Sequence, residues 1–162
     1  MNLPLTPLRF LERANNLYGD KQGVICGSLR LTYAEFFDRC RRLAGALAGL
    51  GLQPGDRVAY LGYNCHRLLE CYYGVLLAKG VLLPLNIRLS AAEIGYILRD
   101  SGARILLLEP DFLPQAEATR SQTPDVNQVF LLDHTSARPS WIDPRSYDEL
   151  LGDAPRARFD YM

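Results

Sequence analysis

Residues 58–85 read VAYLGYNCHRLLECYYGVLLAKGVLLPL, and this stretch predicts the architecture of the chain. Val58–Leu61 is an unbroken apolar run, which is typical of a strand buried on both faces of a parallel sheet. A helix over Cys65–Lys79 should follow and end at Gly80, and Val81–Leu83 should form the next strand. Strand, helix and strand then make a right-handed βαβ unit. We therefore expect an α/β fold, a layered parallel sheet flanked by helices.

The residues before this unit predict a leading helix and a small antiparallel hairpin. Thr6 precedes Pro7, the pattern of an N-cap followed by proline at the first helical position. This helix should end near Tyr18-Gly19. Two short β-prone runs flank Gly27-Ser28, a pair that suits a tight hairpin turn.

A second helix is predicted from a capping box, Thr32 with Glu35 three residues on. Its apolar stripe comprises Phe36, Cys40, Leu43, Leu47 and Leu50. Glu35 with Arg39, and Asp38 with Arg42, have the i,i+4 spacing of surface ion pairs. We interpret these charges as a solvated face.

The residues after the βαβ unit continue the alternation of helix and strand. Ser90 and Glu93 form another capping box, for a helix closing at Ser101-Gly102. The further expected elements are a strand at Ile105–Leu108, a helix at Pro110–Gln122, a strand at Val129–Leu132, a loop at His134–Pro144 and a short helix at Tyr147–Leu151. This alternation favours an α/β fold over α+β.

The length of 162 residues favours a single domain with a sizeable core. Within it, residues 1–30 should form the leading helix and hairpin, residues 31–133 the α/β core, and residues 134–162 a loop, a short helix and a tail. Lys+Arg and Asp+Glu are both 18, so no positive surplus indicates a nucleic-acid partner.

The cysteines and the apolar segments exclude several classes of protein. Cys26, Cys40, Cys65 and Cys71 form no CxxC pair and no zinc-site spacing, so we interpret them as reduced core thiols and expect no metal site. Prolines and charges interrupt the first thirteen residues where a signal peptide needs an apolar run. Charged residues also break the apolar region 68–89, so we expect no transmembrane segment and a cytoplasmic protein.

Motifs for phosphate binding and nucleophilic catalysis are missing from the sequence. Neither lysine, Lys21 or Lys79, follows a glycine-rich loop, and there is no P-loop or nucleophile elbow. The Gly49–Pro54 stretch follows a helix, which indicates a helix C-cap rather than a dinucleotide site. His66 beside Cys65 is interpreted as structural, at the start of a helix. Tyr72 and Tyr73 could line an acyl pocket, but core packing is favoured for both.

Five motifs in order resemble those of the adenylate-forming ligases, a superfamily that includes acyl-CoA and aryl-CoA synthetases. Leu31–Phe36 (LTYAEF) is similar to the opening signature of that superfamily, and Gly51–Ala59 (GLQPGDRVA) to its turn into the first core strand. Asn64 fits the head of the next helix. Leu77–Asn86 (LAKGVLLPLN) resembles the second signature, and the segment that starts at Asn86-Ile87-Arg88-Leu89 looks most like the fatty-acyl and aryl-CoA branches.

This resemblance implies that the complete enzyme converts a carboxylate and MgATP to an acyl-adenylate and then transfers the acyl group to coenzyme A. The Ser/Thr/Gly-rich loop and the lysines that serve this chemistry in the family have no counterpart in these 162 residues. We therefore expect an amino-terminal fragment with no catalytic residue and no bound ATP, Mg²⁺ or coenzyme A. A fatty acid is the expected substrate of the intact enzyme.

Arg88 is the one residue here for which the resemblance implies a ligand. In some ligases with a similar Asn-x-Arg-Leu segment, this arginine lies near the phosphates of coenzyme A. From the residues alone, Arg88 should emerge at the rim of the sheet after a buried strand, where α/β proteins bind ligands. The alternative is a surface arginine paired with Glu93 or with a backbone carbonyl.

Two other functions stay open, a stand-alone nucleotide-binding domain and a non-catalytic interaction module derived from a ligase. If the chain is one wall of a larger domain, it exposes apolar surface when isolated. Large exposed apolar patches mark sites of association, so we expect self-association of this chain.

Overall fold

A computed structural model describes residues 6–135 and 138–158 of the chain. The helices are α1 (Pro7–Tyr18), α2 (Tyr33–Gly49), α3 (His66–Leu77), α4 (Ala91–Ser101), α5 (Leu113–Thr119) and α6 (Tyr147–Gly152). The strands are β1 (Gln22–Cys26), β2 (Leu29–Thr32), β3 (Arg57–Leu61), β4 (Val81–Pro84), β5 (Ile105–Leu108) and β6 (Gln128–Leu131).

Four of the strands form a parallel sheet with the order β4-β3-β5-β6, so β3 and β5 are central. Val58 of β3 lies opposite Leu82 of β4 on one side and Ile105 of β5 on the other. Strands β1 and β2 pair antiparallel as a separate hairpin. The predicted α/β fold, with its layered parallel sheet and small hairpin, is confirmed.

The sheet has an apolar core on each face, because alternate side chains of its strands point to opposite sides. Ile105 and Leu107 face the layer of α2, α3 and α6, whereas Leu106 and Leu108 face the layer of α4 and α5. Both sets are buried. This two-sided burial explains why β3 and β5 are continuous apolar runs in the sequence.

Local hydrogen bonds begin the helices where the sequence predicts. The Thr6 side chain accepts a hydrogen bond from the Leu8 N–H at the start of α1. Both predicted capping boxes, Thr32 with Glu35 and Ser90 with Glu93, are present at the starts of α2 and α4. A third capping box, Ser146 with Glu149, begins α6 and was missed from the sequence.

The end of α3 differs from its prediction. The residue in the left-handed conformation is Lys79, with φ 63°, and not Gly80. The Lys79 N–H donates to the Leu76 carbonyl, and the Gly80 N–H donates to the Val75 carbonyl. Gly80 is needed for its size, because a Cβ there would lie 2.9 Å from Cδ2 of Leu52.

The predicted helix over residues 110–122 is divided into α5 and two short 3₁₀ turns, at Pro110–Phe112 and Arg120–Gln122. Pro114 has no N–H to donate to the Pro110 carbonyl, so an α-helical bond cannot form there. The Leu113 N–H bonds to Pro110 instead, in the tighter 3₁₀ pattern.

Two expectations about burial hold only in part. Cys40 and Cys71 are buried thiols, but Cys26 and Cys65 are partly exposed. Tyr73 packs edge-on against Phe36, with ring centroids 5.6 Å apart. Tyr72 was expected in the core and is instead 46% exposed, on the outer face of α3.

Among the described residues, no helix is both long and apolar enough to cross a bilayer.

Candidate functional site

Arg88 lies in the loop between β4 and α4, at the carboxyl edge of the sheet. Its backbone N–H donates to Oδ1 of Asn86 at 3.0 Å, which holds the loop in a tight turn. The Arg88 side chain is exposed, and no hydrogen bond or ion pair of its guanidinium is found within residues 6–135 and 138–158. Arg88 is therefore available to an anion.

The alternative ion pair of Arg88 with Glu93 is not found. Oε2 of Glu93 accepts hydrogen bonds from the backbone N–H of Ser90 at 2.9 Å and from its hydroxyl at 2.7 Å. These bonds close the capping box of α4 and hold the pKa of Glu93 below its usual value.

The strand before Arg88 was predicted to be buried. It is instead an edge strand, β4, in which Val81 is 50% exposed.

The carboxyl edge also carries charged residues that follow β3, β5 and β6. Arg67, from the first turn of α3, makes two parallel hydrogen bonds to Asp133, of 3.0 and 2.8 Å. Burial, and then the negative charge of Asp133, raises the pKa of Glu109 at the end of β5. Tyr63 donates a hydrogen bond of 3.0 Å to Oδ2 of Asp111. This is the edge at which open α/β sheets bind their ligands.

A hydrogen-bonded network extends from this edge into the interior. It comprises Arg39, Arg67, Glu70, Tyr147 and Asp148, and is called the Glu70 network below. Glu70 has no solvent exposure, and it accepts hydrogen bonds from Nε of Arg39 at 2.5 Å and from the Tyr147 hydroxyl at 2.7 Å. Asp148 accepts from Arg39 at 2.6 Å and from Arg67 at 3.1 Å. The network joins α2, α3 and α6.

The Glu70 network corrects the interpretation of α2 as having a solvated charged face. Arg39 pairs with Glu70, 31 residues away in the sequence, because Glu35 is used in the capping box of α2. The predicted pair of Arg42 with Asp38 is confirmed, at 2.8 Å. A signal for the network was present in the sequence: Glu70 lies in an apolar helix, and a buried carboxylate requires a cationic or hydrogen-bonding partner.

The residues next to β3 show no nucleophilic site. His66 is the first residue of α3, as predicted, and burial lowers its pKa, which favours the neutral imidazole. The Sγ atom of Cys65 lies 3.3 Å from the Tyr60 hydroxyl. Within the described ranges, no group of three or more His, Cys, Asp or Glu side chains could hold a metal ion.

The two lysines are placed away from any glycine-rich phosphate loop. Lys21 precedes β1, with its Nζ 4.8 Å from the centroid of the Tyr18 ring. Lys79 lies at the end of α3. The exposed guanidinium of Arg88 therefore lies in a loop that contains no lysine.

The parallel sheet is covered by helices on both faces and carries charged groups at its carboxyl edge, which is the architecture of an open α/β domain. The chain belongs to the AMP-binding enzyme family, whose profile matches residues 11–156. This confirms the family resemblance seen in the sequence.

Several similar proteins are CoA ligases. A long-chain-fatty-acid–CoA ligase of Thermus thermophilus is 42% identical over 148 residues, which are 89% of this chain and 27% of the relative. A peroxisomal benzoate–CoA ligase of Arabidopsis thaliana is 40% identical over 111 residues, 68% of this chain and 19% of the relative.

The crystal structure of an anthranilate CoA ligase in complex with anthranoyl-AMP has the same fold. It superposes with a TM-score of 0.88 at 21% identity, over 99% of this chain and 31% of the ligase. The chain thus spans less than a third of the length of each of these three relatives.

Proposed function

We propose that these 162 residues form one wall of the amino-terminal domain of an ATP-dependent, AMP-forming acyl-CoA synthetase. The observation that carries this proposal is the family match over residues 11–156. The reaction of the complete enzyme joins a carboxylate to ATP, releases pyrophosphate, and transfers the acyl group from the adenylate to the thiol of coenzyme A.

The chain alone is proposed to be inactive, because its sequence holds no Ser/Thr/Gly-rich loop with a lysine to bind the phosphates of ATP. The described residues also offer no cluster of three metal ligands, so magnesium has no assigned site in them. What these residues contribute is the sheet and the charged carboxyl edge against which the remaining binding segments would pack.

A fatty acid is the proposed substrate. The support is the long-chain-fatty-acid–CoA ligase, which aligns with more of this chain than the benzoate–CoA ligase does. The acid-binding pocket itself is expected to be built from other segments of the enzyme.

Arg88 is proposed to bind a phosphate of coenzyme A in the complete enzyme. The support is its exposed guanidinium at the carboxyl edge and the Asn86 hydrogen bond that holds its loop. A guanidinium can bind phosphate through two parallel hydrogen bonds.

The chain on its own is proposed to self-associate through the outer face of α3. Leu69, Tyr72 and Leu76 follow one another at helical spacing on this face, and all three are exposed. Sedimentation equilibrium tests this: Leu69→Lys with Leu76→Lys should shift the protein towards monomer. A monomeric parent chain at high concentration would contradict self-association.

Two measurements test the proposed function. Pyrophosphate release by the chain with a panel of fatty acids should stay at background, whereas tight ATP binding by calorimetry would instead indicate a stand-alone nucleotide-binding domain. Sequencing the gene beyond the codon of Met162 should find a Ser/Thr/Gly-rich loop with lysine. A stop codon there would favour the non-catalytic interaction module.

A further inference from the structure

A cleft of about 600 Å³ lies between α4, α5, the segment 120–127 and Trp141, away from Arg88. Its lining includes Leu98, near the end of α4, and Asn127, which immediately precedes β6. The cleft is therefore at the amino-terminal half of the parallel strands, whereas Arg88 is at their carboxyl edge. The volume is within the range of roughly 300–1,000 Å³ that is usual for small-molecule sites.

The floor of the cleft is apolar. Leu98 of α4, Leu106 of β5 and Val129 of β6 contribute to it, and all three are buried members of the core. Trp141, which packs against the same core, lines one wall. These side chains suit the hydrocarbon or aromatic body of a ligand.

The rim of the cleft carries one cation with a weak partner. The Arg120 guanidinium lies 4.6 Å from the centroid of the Trp141 ring. Its ion pair with Glu117 is long, 3.5 Å, and the two side chains are 48% and 56% exposed. Pairs of this kind contribute little and exchange readily for a better acceptor.

Trp141, unlike Arg120, carries a donor without an acceptor. Its indole Nε1 is buried and finds no hydrogen-bond partner among the residues that the structure describes. An indole N–H can only donate, and a buried donor normally has an acceptor. By contrast, the hydroxyls of Thr119 and Thr123, on the same lining, already donate to the carbonyls of Ala116 and Thr119.

We propose that this cleft binds a small organic carboxylate, at a site separate from Arg88 and additional to the proposed ligase function. The apolar body of the ligand lies on the floor formed by Leu98, Leu106 and Val129. Its carboxylate accepts hydrogen bonds from Arg120 and takes the place of Glu117. Glu117, the acidic residue on this rim, opposes binding by competing for the same guanidinium.

Tryptophan fluorescence reports on this site directly, because Trp141 is the single tryptophan of the chain. The probe is octanoate, with octanol and octylamine as neutral and cationic analogues. Octanoate should give a saturable change in emission at lower concentration than either analogue. The same half-saturation for octanol and octanoate, or no saturation, would overturn the proposal.

Substitutions separate the charge of the rim from general hydrophobic binding. Arg120→Met should raise the dissociation constant for octanoate about tenfold, the usual effect of losing a charge-assisted hydrogen bond. Glu117→Gln should lower it. Arg99→Met is the matched control, because Arg99 lies over Tyr96 at 5.9 Å on α4 and is not part of the cleft lining.

Amide chemical shifts in nuclear magnetic resonance spectra give a readout independent of the tryptophan. Octanoate should shift the resonances of Val126, Asn127 and Val129, in the lining, and leave those around Arg88 unchanged. An unaltered dissociation constant in Arg120→Met, or shifts confined to the carboxyl edge, would show that the cleft is not the carboxylate site.

Discussion

The hydroxyl of Tyr147 donates a hydrogen bond of 2.7 Å to Oε2 of Glu70, a carboxylate that is fully removed from solvent. This bond ties the short helix α6 to α3, 77 residues earlier in the chain. Tyr147→Phe removes it while keeping the ring, and should destabilise the fold by about 1–3 kcal/mol. For a protein of this size, Tm falls by about 2–4 °C for each kcal/mol of lost stability. Tyr96→Phe, on an exposed tyrosine, should leave Tm unchanged; equal effects would contradict this role of Tyr147.

Arg39 is the cation that compensates Glu70. Arg39→Met leaves a buried carboxylate without its charged partner, which costs about 3–5 kcal/mol. Arg42→Met is the control on the same helix, since its ion pair with Asp38 is partly exposed and should contribute no more than about 1 kcal/mol. Urea denaturation of both variants measures the difference. Equal losses would mean that Arg39 acts as a surface residue.

Asp148 makes the stability of the fold depend on pH. Desolvation alone would raise its pKa, but hydrogen bonds from Arg39 and Arg67 outweigh this and hold the pKa below its usual value. A carboxylate with a lowered pKa in the folded state stabilises the fold above its unfolded pKa, about 3.9. That contribution is lost as pH falls through the lower, folded-state pKa.

Asp148→Asn should therefore be less stable than the parent at neutral pH and should lose less stability on acidification. Urea midpoints measured from neutral pH to below about pH 4 give the comparison. Some dependence on pH should remain, because the pKa of Asp38 is also lowered. Parallel pH profiles for variant and parent would exclude this role of Asp148.

Substitution by alanine at two glycines of α2 should have opposite effects on stability. A Cβ on Gly45 would collide with the Pro155 carbonyl oxygen, so Gly45→Ala should displace the segment 154–158 from the helix. A Cβ on Gly49 meets nothing within 4 Å, and the higher helix propensity of alanine should stabilise by up to about 1 kcal/mol. Trypsin cleavage after Arg156 should accelerate only in Gly45→Ala. Equal cleavage of the two variants would contradict the close packing of Gly45 on Pro155.

Arg88→Ala tests the proposed contact with coenzyme A in a polypeptide that carries this chain within an active ligase. The Michaelis constant for coenzyme A should rise severalfold, because a guanidinium contact to phosphate is lost. Acyl-adenylate formation, followed by pyrophosphate release, should be unchanged. Arg99→Ala, on the next helix, is the control. Unchanged kinetics with coenzyme A in Arg88→Ala would leave Arg88 as a surface residue.

The amino-acid sequence by itself determined the order of the elements, the capping boxes at Thr32 and Ser90, the α/β class and the family. These features depend on periodicity and on bonds between residues three or four apart, and such patterns are visible in the linear order. The carboxyl-edge position of Arg88 also followed from the sequence, since it requires only that the residue lie in the loop that follows a parallel strand.

Only the tertiary structure decided the partner of Arg39, the edge position of β4 and the cleft beside Trp141. The i,i+4 spacing predicted Glu35 as the partner of Arg39, whereas the packing of α3 on α2 places the buried carboxylate of Glu70 within hydrogen-bond distance of Arg39. The need for glycine at position 80 also comes from tertiary packing, because the space there is limited by Leu52, a residue from another part of the chain. These outcomes depend on contacts between residues far apart in the sequence, which form only when the helices and strands pack together.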